Sequence, residues 1–291
     1  MVPNKIQDPI SNHQVRIPFF LTWRLDIGRW LLDIRCFSLL CGIFLLAITA
    51  GCSPASSYAA SDRLERGLVV VLDGAGGITD TFNYIAKGLN DAGINQAFEP
   101  YVWSAHDVFQ DQIDLRRNRE IAADLANFIL SYHQEYPDRP IHLVGLSAGS
   151  GIVIFAAEAL PPGVKVDGIF LLGSSLSSAY DLAPALHHVR NQITNFSSLA
   201  DVAILGAGVA VTGTVDRTHR LPAGIAGFKL PADASTATRQ LYQAKLVEVP
   251  WKPTFVIYGD LGNHLGATTP AFAQHMIAPV ILADSAGKAP K

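Results

Sequence analysis

Residues 140–151, with the sequence PIHLVGLSAGSG, place Ser147 between small residues at the end of an apolar run. The run predicts a buried strand, and Gly145, Ala148 and Gly149 supply small neighbours for a sharp turn into a helix. Such a turn strains the serine backbone and exposes the hydroxyl above the edge of the sheet. The pattern predicts that Ser147 is a nucleophile, and the alternative is a plain Gly/Ser turn between two core elements.

Strand-like and helix-like segments alternate on both sides of this turn. Apolar runs typical of buried parallel strands occur at 67–72 and 168–173. Further strands are predicted at 98–103 and 254–258, and 192–196 is a shorter, more polar strand candidate. Segments with one apolar face lie between most of them. The alternation predicts an α/β fold with a doubly wound, mostly parallel sheet in one domain, residues 66–291.

Residues 202–250 interrupt this alternation before the last predicted strand. They begin apolar and glycine-rich, continue through a polar loop, and end near 236–244 in a segment that predicts a helix. An insertion of this kind either lies over the sheet edge as a lid or only packs on the core. The sequence favours neither interpretation.

Residues 1–52 have the pattern of a targeting segment. Basic side chains are scattered over 1–35, and 36–50 (CFSLLCGIFLLAITA) carry no charge. A run of this length suits the hydrophobic region of a signal peptide better than a membrane span. Small residues then precede Cys52, which resembles the lipobox of bacterial lipoproteins, although Thr49 departs from the usual aliphatic residue.

The targeting segment predicts lipidation at Cys52 and a membrane-anchored domain outside the cytoplasm. A retained membrane anchor and ordinary secretion to the periplasm or beyond are the alternatives. Small polar residues dominate 53–62, so 53–65 are predicted to form a flexible tether between this segment and the domain.

The composition limits the class of protein. Hydrophobic residues make up 49% of the 291 residues and charged residues 16%, which favours a globular, partly membrane-associated chain over a disordered one. The net charge is -3, so no nucleic-acid partner is predicted, and Arg116 and Arg117 are interpreted as a solvated helix face. The three cysteines all precede residue 66, which predicts a domain without disulfides or a cysteine metal site.

A serine nucleophile needs a base that accepts its proton and a third group that orients the base. Among nine histidines, His264 follows the last predicted strand in a loop that contains Gly262 and Gly266. Such a loop is loose enough to bring an imidazole over the turn at Ser147. His264 is therefore the predicted base, and His106, which follows another strand, is the alternative.

Three motifs together resemble the α/β-hydrolase family, over roughly residues 66–285. They are LDGAGG at 72–77, GLSAGSG at 145–151 and GNHLG at 262–266. The resemblance implies a serine hydrolase in which the chain order is nucleophile, acid, histidine. It does not by itself name a substrate.

The position of the acid follows from the same resemblance. Asp201 lies between nucleophile and base, shortly after the strand at 192–196, where the family places its acid. Asp260, in the segment VIYGD, is the alternative, and Asp181, Asp167 or the absence of an acid stay open.

Hydrolysis also requires donors for the oxyanion of the transition state. The amide of Ala148 follows the nucleophile directly, and the resemblance implies that the second amide is that of Ala75. Asp73 stands where the family usually has histidine, but a backbone amide is available with any side chain. The alternative is that the glycines at 74–77 only form a tight turn.

These features predict a serine hydrolase that cleaves an ester or thioester of a small or lipid-like acyl group, with no cofactor and no metal. An amidase, peptidase or acyltransferase of the same fold uses the same triad. The first alternative from another class is a non-catalytic surface lipoprotein that uses the fold for binding. A nucleotide-binding protein is disfavoured, because no lysine follows the glycines of 72–77 as in a P-loop.

Overall fold

The computed structural model describes residues 58–286, without the side chains at 203, 204 and 286. The predicted signal segment 1–52, its Cys52 and the first part of the predicted tether lie outside the described residues.

Six strands form one sheet, and every neighbouring pair is parallel. The strands are β1 (Leu68–Leu72), β2 (Ala97–Pro100), β3 (Ile141–Leu146), β4 (Val166–Leu172), β5 (Val189–Ser197) and β6 (Leu246–Pro250). Their order across the sheet is β2-β1-β3-β4-β5-β6. The predicted doubly wound parallel sheet is confirmed, and the loops after all six strands meet at one edge.

Helices cover both faces of this sheet. They are α1 (Ser61–Leu64), α2 (Thr81–Asp91), α3 (Val108–Ile113), α4 (Leu115–Glu135), α5 (Gly149–Ala159), α6 (Ala183–His187), α7 (Ala207–Thr212), α8 (Ala223–Ala226), α9 (Thr236–Lys245), α10 (Pro270–Phe272) and α11 (Ala278–Ala286). Two π-helical segments, Val202–Gly206 and Ala273–Ile277, precede α7 and α11.

The core consists of two apolar layers, one on each side of the sheet. Leu68 and Val70 of β1 belong to the layer under α4 and α5, whereas Val69 and Val71 belong to the layer under α2 and α11. Successive residues of a strand point to opposite faces, so a strand buried on both faces must be apolar at every position. This requirement explains the run GLVVVL at 67–72.

The prediction of a last strand at 254–258 is wrong. Residues Pro253–Tyr258 form a 3₁₀-helix, because Pro253 starts a helical turn and Gly259 ends it in the left-handed region at φ 83°. The last strand is β6, which pairs with β5 from Ile193 onward. The insertion is therefore 198–245, and residues 246–250 of the predicted lid belong to the sheet.

The predicted tether is partly built into the domain. Residues Ser61–Leu64 are helical, and the Arg63 guanidinium donates to the carbonyls of Gln96 (2.9 Å) and Ile94 (3.1 Å). The ring of Tyr58 lies 5.3 Å from that of Phe98. Among residues 58–286, no helix is long and apolar enough to cross a membrane.

Gly88 lets α2 pack directly on the chain at α10. A Cβ at Gly88 would lie 2.1 Å from the carbonyl oxygen of Pro270. We expect Gly88→Ala to lower the free energy of unfolding by about 1–3 kcal/mol through overpacking, although alanine is intrinsically the better helix former. Urea unfolding measures the difference.

The matched control is Gly208→Ala in α7, where an added Cβ meets no atom within 4 Å. At this position only the higher helix propensity of alanine matters, so the free energy of unfolding should rise by up to about 1 kcal/mol. Equal midpoints for Gly88→Ala and the parent would contradict the packing described for α2.

Candidate active site

Ser147 lies in a strained turn between β3 and α5. Its φ is 52°, in the left-handed region that a residue with a side chain rarely adopts. Its amide donates to the carbonyl of Leu172 (2.9 Å), and its carbonyl accepts from the amides of Ser150 (3.1 Å) and Ser175 (3.2 Å). These contacts hold a conformation that costs on the order of 1–3 kcal/mol.

The glycines around Ser147 are required by close approach of neighbouring atoms. A Cβ at Gly145 would lie 2.8 Å from the carbonyl oxygen of Gly149, and a Cβ at Gly149 would lie 2.3 Å from that of Asp73. A Cβ at Gly151 would lie 2.6 Å from a methyl group of Val215. The small residues of 145–151 therefore let the turn, the first loop and the insertion pack together.

Asp201 and His264 meet in the loops after β5 and β6. The Nδ1 of His264 lies 2.6 Å from the Oδ2 of Asp201, and both side chains are largely buried. A carboxylate only accepts, so Nδ1 donates and Nε2 is left as the basic nitrogen. Gly173, at φ 52°, gives room for the pair, because a Cβ there would lie 3.3 Å from Nδ1.

The other candidate acids and the other candidate base lie away from this contact. Asp167 bonds to the amide of Ile141 and pairs with Arg190, while Asp181 accepts from the Tyr242 hydroxyl. His106 faces the carbonyl of Gly76 at 3.3 Å.

Asp260 shapes the loop that carries His264. Its buried carboxylate accepts from the amide of Gly262 (2.8 Å), and a Cβ at Gly266 would lie 2.0 Å from it. Burial raises the pKa of the Asp260 carboxyl above its ordinary value, the Gly262 amide opposes this, and the charge of Asp201 adds to it. The carboxylate that contacts the imidazole is thus that of Asp201.

Two backbone amides beside Ser147 are free to donate. The amides of Gly74 and Gly76 bond to the carboxylates of Asp73 and Asp111, both at 2.9 Å. Within residues 58–286, the amides of Ala75 and Ala148 bond to no acceptor. A Cβ at Gly74 would lie 3.3 Å from the Cβ of Ser147, so the first loop abuts the serine.

Asp73 braces the first loop. Besides the Gly74 amide, its carboxylate accepts from the Thr79 amide (3.1 Å), the Thr79 hydroxyl and the Thr81 hydroxyl (2.8 Å). Its carbonyl accepts from the indole of Trp103 (2.8 Å). The residue that departs from the family pattern therefore fixes the conformation of the first loop.

Asp111 and Arg117 form a second brace, which the sequence does not reveal. The Asp111 side chain is completely buried and accepts from the amides of Gly76 (2.9 Å) and Ala105 (3.0 Å) and from Arg117 (3.0 Å). Arg117 also donates to the carbonyl of Trp103 (2.8 Å). The interpretation of Arg117 as solvated is wrong, whereas Arg116 is exposed and pairs with Glu120.

A cleft of about 460 Å³ opens beside Ser147 and His264. Its walls come from the first loop, α3, the start of the insertion and the His264 loop, and most of them are apolar. Its volume falls in the range typical of small-molecule sites. Within residues 58–286, no hydrogen bond joins the Ser147 hydroxyl to His264, and no cluster of side chains could hold a metal ion.

No family model and no curated protein matches this chain. The chain is similar to several solved structures, among them a cutinase-like protein from Cryptococcus sp., with 17% identity over 79% of this chain and 100% of that chain and a TM-score of 0.41. A second is dienelactone hydrolase from Anabaena variabilis, with 17% identity over 75% of this chain and 83% of that chain and a TM-score of 0.38. A third is lipase B from Aspergillus fumigatus, with 13% identity over 76% of this chain and 53% of that chain and a TM-score of 0.45. The strand order β2-β1-β3-β4-β5-β6 is that of a doubly wound α/β fold, in which the loops after β3, β5 and β6 lie at one edge of the sheet.

Removing Asp111 should disturb the first loop as well as the stability. In Asp111→Ala, the Arg117 guanidinium loses its buried partner, and we expect the free energy of unfolding to fall by about 3 kcal/mol. Labelling by a fluorophosphonate probe should slow in the fraction that stays folded, because the amide of Gly76 next to Ala75 is released.

The control is Asp107→Ala, which removes an exposed carboxylate that caps the same helix. Loss of a cap costs about 1 kcal/mol and should leave the labelling rate of the folded protein unchanged. Equal labelling rates in the folded Asp111→Ala protein and the parent would refute the positioning role.

Proposed function

We propose that this protein is a serine hydrolase that cleaves an ester or thioester through an acyl-enzyme. Ser147 is the nucleophile, His264 the general base and acid, and Asp201 the residue that orients His264. The contact of 2.6 Å between Asp201 and His264, beside the cleft that Ser147 also lines, carries the proposal.

In this mechanism the Ser147 hydroxyl attacks the acyl carbon and gives its proton to Nε2 of His264. The resulting oxyanion is stabilised by the free amides of Ala75 and Ala148. The imidazolium, held by the carboxylate of Asp201, then protonates the leaving alcohol or thiol. Water repeats the sequence on the acyl-enzyme, and Ser147 is regenerated.

The insertion supplies part of the cleft wall. Leu205, Gly208, Val209 and Thr212 line the cleft beside Ser147. We propose that 202–212, rather than the whole predicted stretch 202–250, forms the lid over the bound substrate.

We further propose that the domain is tethered outside the cytoplasm through a lipid on Cys52. The proposal is supported by the uncharged run 36–50 and the small residues before Cys52. Five residues, 53–57, separate Cys52 from Tyr58, the first residue described in the domain. The six residue steps from Cys52 to Tyr58 reach at most about 22 Å, which would keep the domain close to the membrane surface.

The triad is tested by fluorophosphonate labelling of the full chain. Ser147→Ala and His264→Ala should abolish labelling, while Ser131→Ala on the surface of α4 should not change it. Asp201→Asn should lower kcat/KM for an activated ester by about 10³–10⁴-fold, because the imidazole loses the partner that fixes its tautomer.

Asp260→Asn is the matched control for the acid. The asparagine oxygen can still accept from the Gly262 amide, so we expect kcat/KM to fall by less than about tenfold. A larger loss in Asp260→Asn than in Asp201→Asn would contradict the assignment of the acid. A folded parent that does not react with the probe would favour the non-catalytic binding protein.

Lipidation is tested by metabolic labelling with a clickable fatty acid in a bacterial host. The parent should carry the label and fractionate with membranes, Cys52→Ser should lose the label, and Cys41→Ser should keep it. An unlabelled parent in the membrane fraction would indicate a retained anchor, and an unlabelled soluble parent would indicate secretion.

A further inference from the structure

The few polar side chains on the cleft walls each donate a hydrogen bond to another group of the protein. Besides Ser147 and His264, the polar side chains that line the cleft are those of Thr79, Gln112 and Thr212. Thr79 donates to a neighbouring carboxylate, Gln112 donates to a backbone carbonyl at 3.0 Å, and Thr212 donates to the carbonyl one turn earlier in α7 at 2.9 Å. Among the described wall residues, the two threonine hydroxyls have used their single donor and Gln112 keeps one N–H, so the walls offer few side-chain donors to a polyhydroxyl or peptide ligand.

The cleft is also uncharged. Among the described residues that line it, none is Asp, Glu, Lys or Arg. A carboxylate, ammonium or phosphate buried there would have no counter-charge, which makes its desolvation costly. The groups of the proposed mechanism that line the cleft are Ser147, His264 and Ala75.

Apolar side chains from two short helical segments form the other walls. Val108 and Phe109 of α3 line one wall, and Leu205 and Val209 line the other at the start of the insertion. These walls can stabilise a bound ligand mainly by burying its apolar surface. A ligand that fits therefore has one polar, reactive end and an uncharged apolar body.

We propose that the cleft between α3 and α7 holds the unbranched acyl chain of the substrate, and that Gly208 sets the chain length. This inference rests on the proposed hydrolase function. Gly208 lies on the cleft wall, and a Cβ placed there meets no atom within 4 Å. A side chain at this position on the cleft wall would therefore enter open space without displacing a neighbouring atom.

The experiment compares p-nitrophenyl butyrate with p-nitrophenyl octanoate as substrates of the full chain. The parent should prefer octanoate. Gly208→Phe should lower the octanoate-to-butyrate ratio of kcat/KM by about tenfold or more, because the ring occupies the space of the distal methylenes. The ratio is taken within each variant, so a change that affects both esters equally does not alter it.

Ala210→Phe is the matched control, since Ala210 is exposed on the same helix and does not line the cleft. It adds the same ring and should leave the ratio within about twofold of the parental value. Gly208→Leu, with a smaller side chain, should give an intermediate ratio, and it replaces Gly208→Phe if that variant does not fold.

Fluorophosphonate labelling of every variant separates the two proposals. An unlabelled parent would refute the hydrolase function itself. The acyl-chain inference alone would be overturned if the labelled parent did not prefer octanoate. It would also be overturned if Gly208→Phe and Gly208→Leu both folded and kept the parental octanoate-to-butyrate ratio of kcat/KM. A shift of equal size in Ala210→Phe would overturn the role of Gly208.

Discussion

The backbone of Ser147 is the constraint on which the site depends. A residue with a side chain is held at φ 52°, and this requires that the chain on both sides approach it closely. Gly145 and Gly149 allow that approach, since a Cβ at either would lie within 3 Å of a backbone atom. Because all strands are parallel, the same edge of the sheet also receives the loops that carry Asp201 and His264.

Three carboxylates, of which those of Asp111 and Asp260 are buried, fix the loops around this turn. Asp73 and Asp111 accept from amides of the first loop, and Asp260 accepts from an amide of the His264 loop. Hydrogen bonds from amides to an ionised carboxylate are stronger than those between neutral groups, so a few of them can hold a glycine-rich segment in one conformation. By using the amides next to Ala75, these bonds leave the Ala75 amide itself unpaired.

The sequence predicts those parts of the fold in which local pattern and burial agree. Strands β1, β3 and β4 are buried on both faces and are continuous apolar runs, and the small residues at 145–151 are required locally. The strand β6 is at the sheet edge and contains Glu248, whereas PTFVIY at 253–258 has the composition of a strand but begins with a proline and forms a 3₁₀-helix. Edge strands need no apolar run, so composition favoured the wrong segment.

The contacts of Asp111 and Arg117 that brace the first loop could not be predicted from the sequence, for a different reason. The partners of Asp111 come from α4 and the loops at 76 and 105, and no local period links those positions. In a sequence, the two residues of a buried ion pair cannot be told from charged surface residues. Arg117, which pairs with Asp111, stands directly beside the exposed Arg116. The alternation of elements predicts that the loops of Asp201 and His264 lie at one edge of the sheet, although the strand that precedes His264 is β6 and not the predicted 254–258.

The contacts of the insertion explain why only its first part suits a lid. From Val215 onward the segment is bonded to the loop after β4, through Val215 to Ser175, Ala223 to Leu176 and Lys229 to Ser178. Gln112 of α3 fixes the carbonyl of Gly213. Residues 202–212 lie between these bonds and Asp201, so the proposed lid motion would separate Leu205 and Val209 from Ile225 but leave the bonds that hold the rest of the insertion on the sheet.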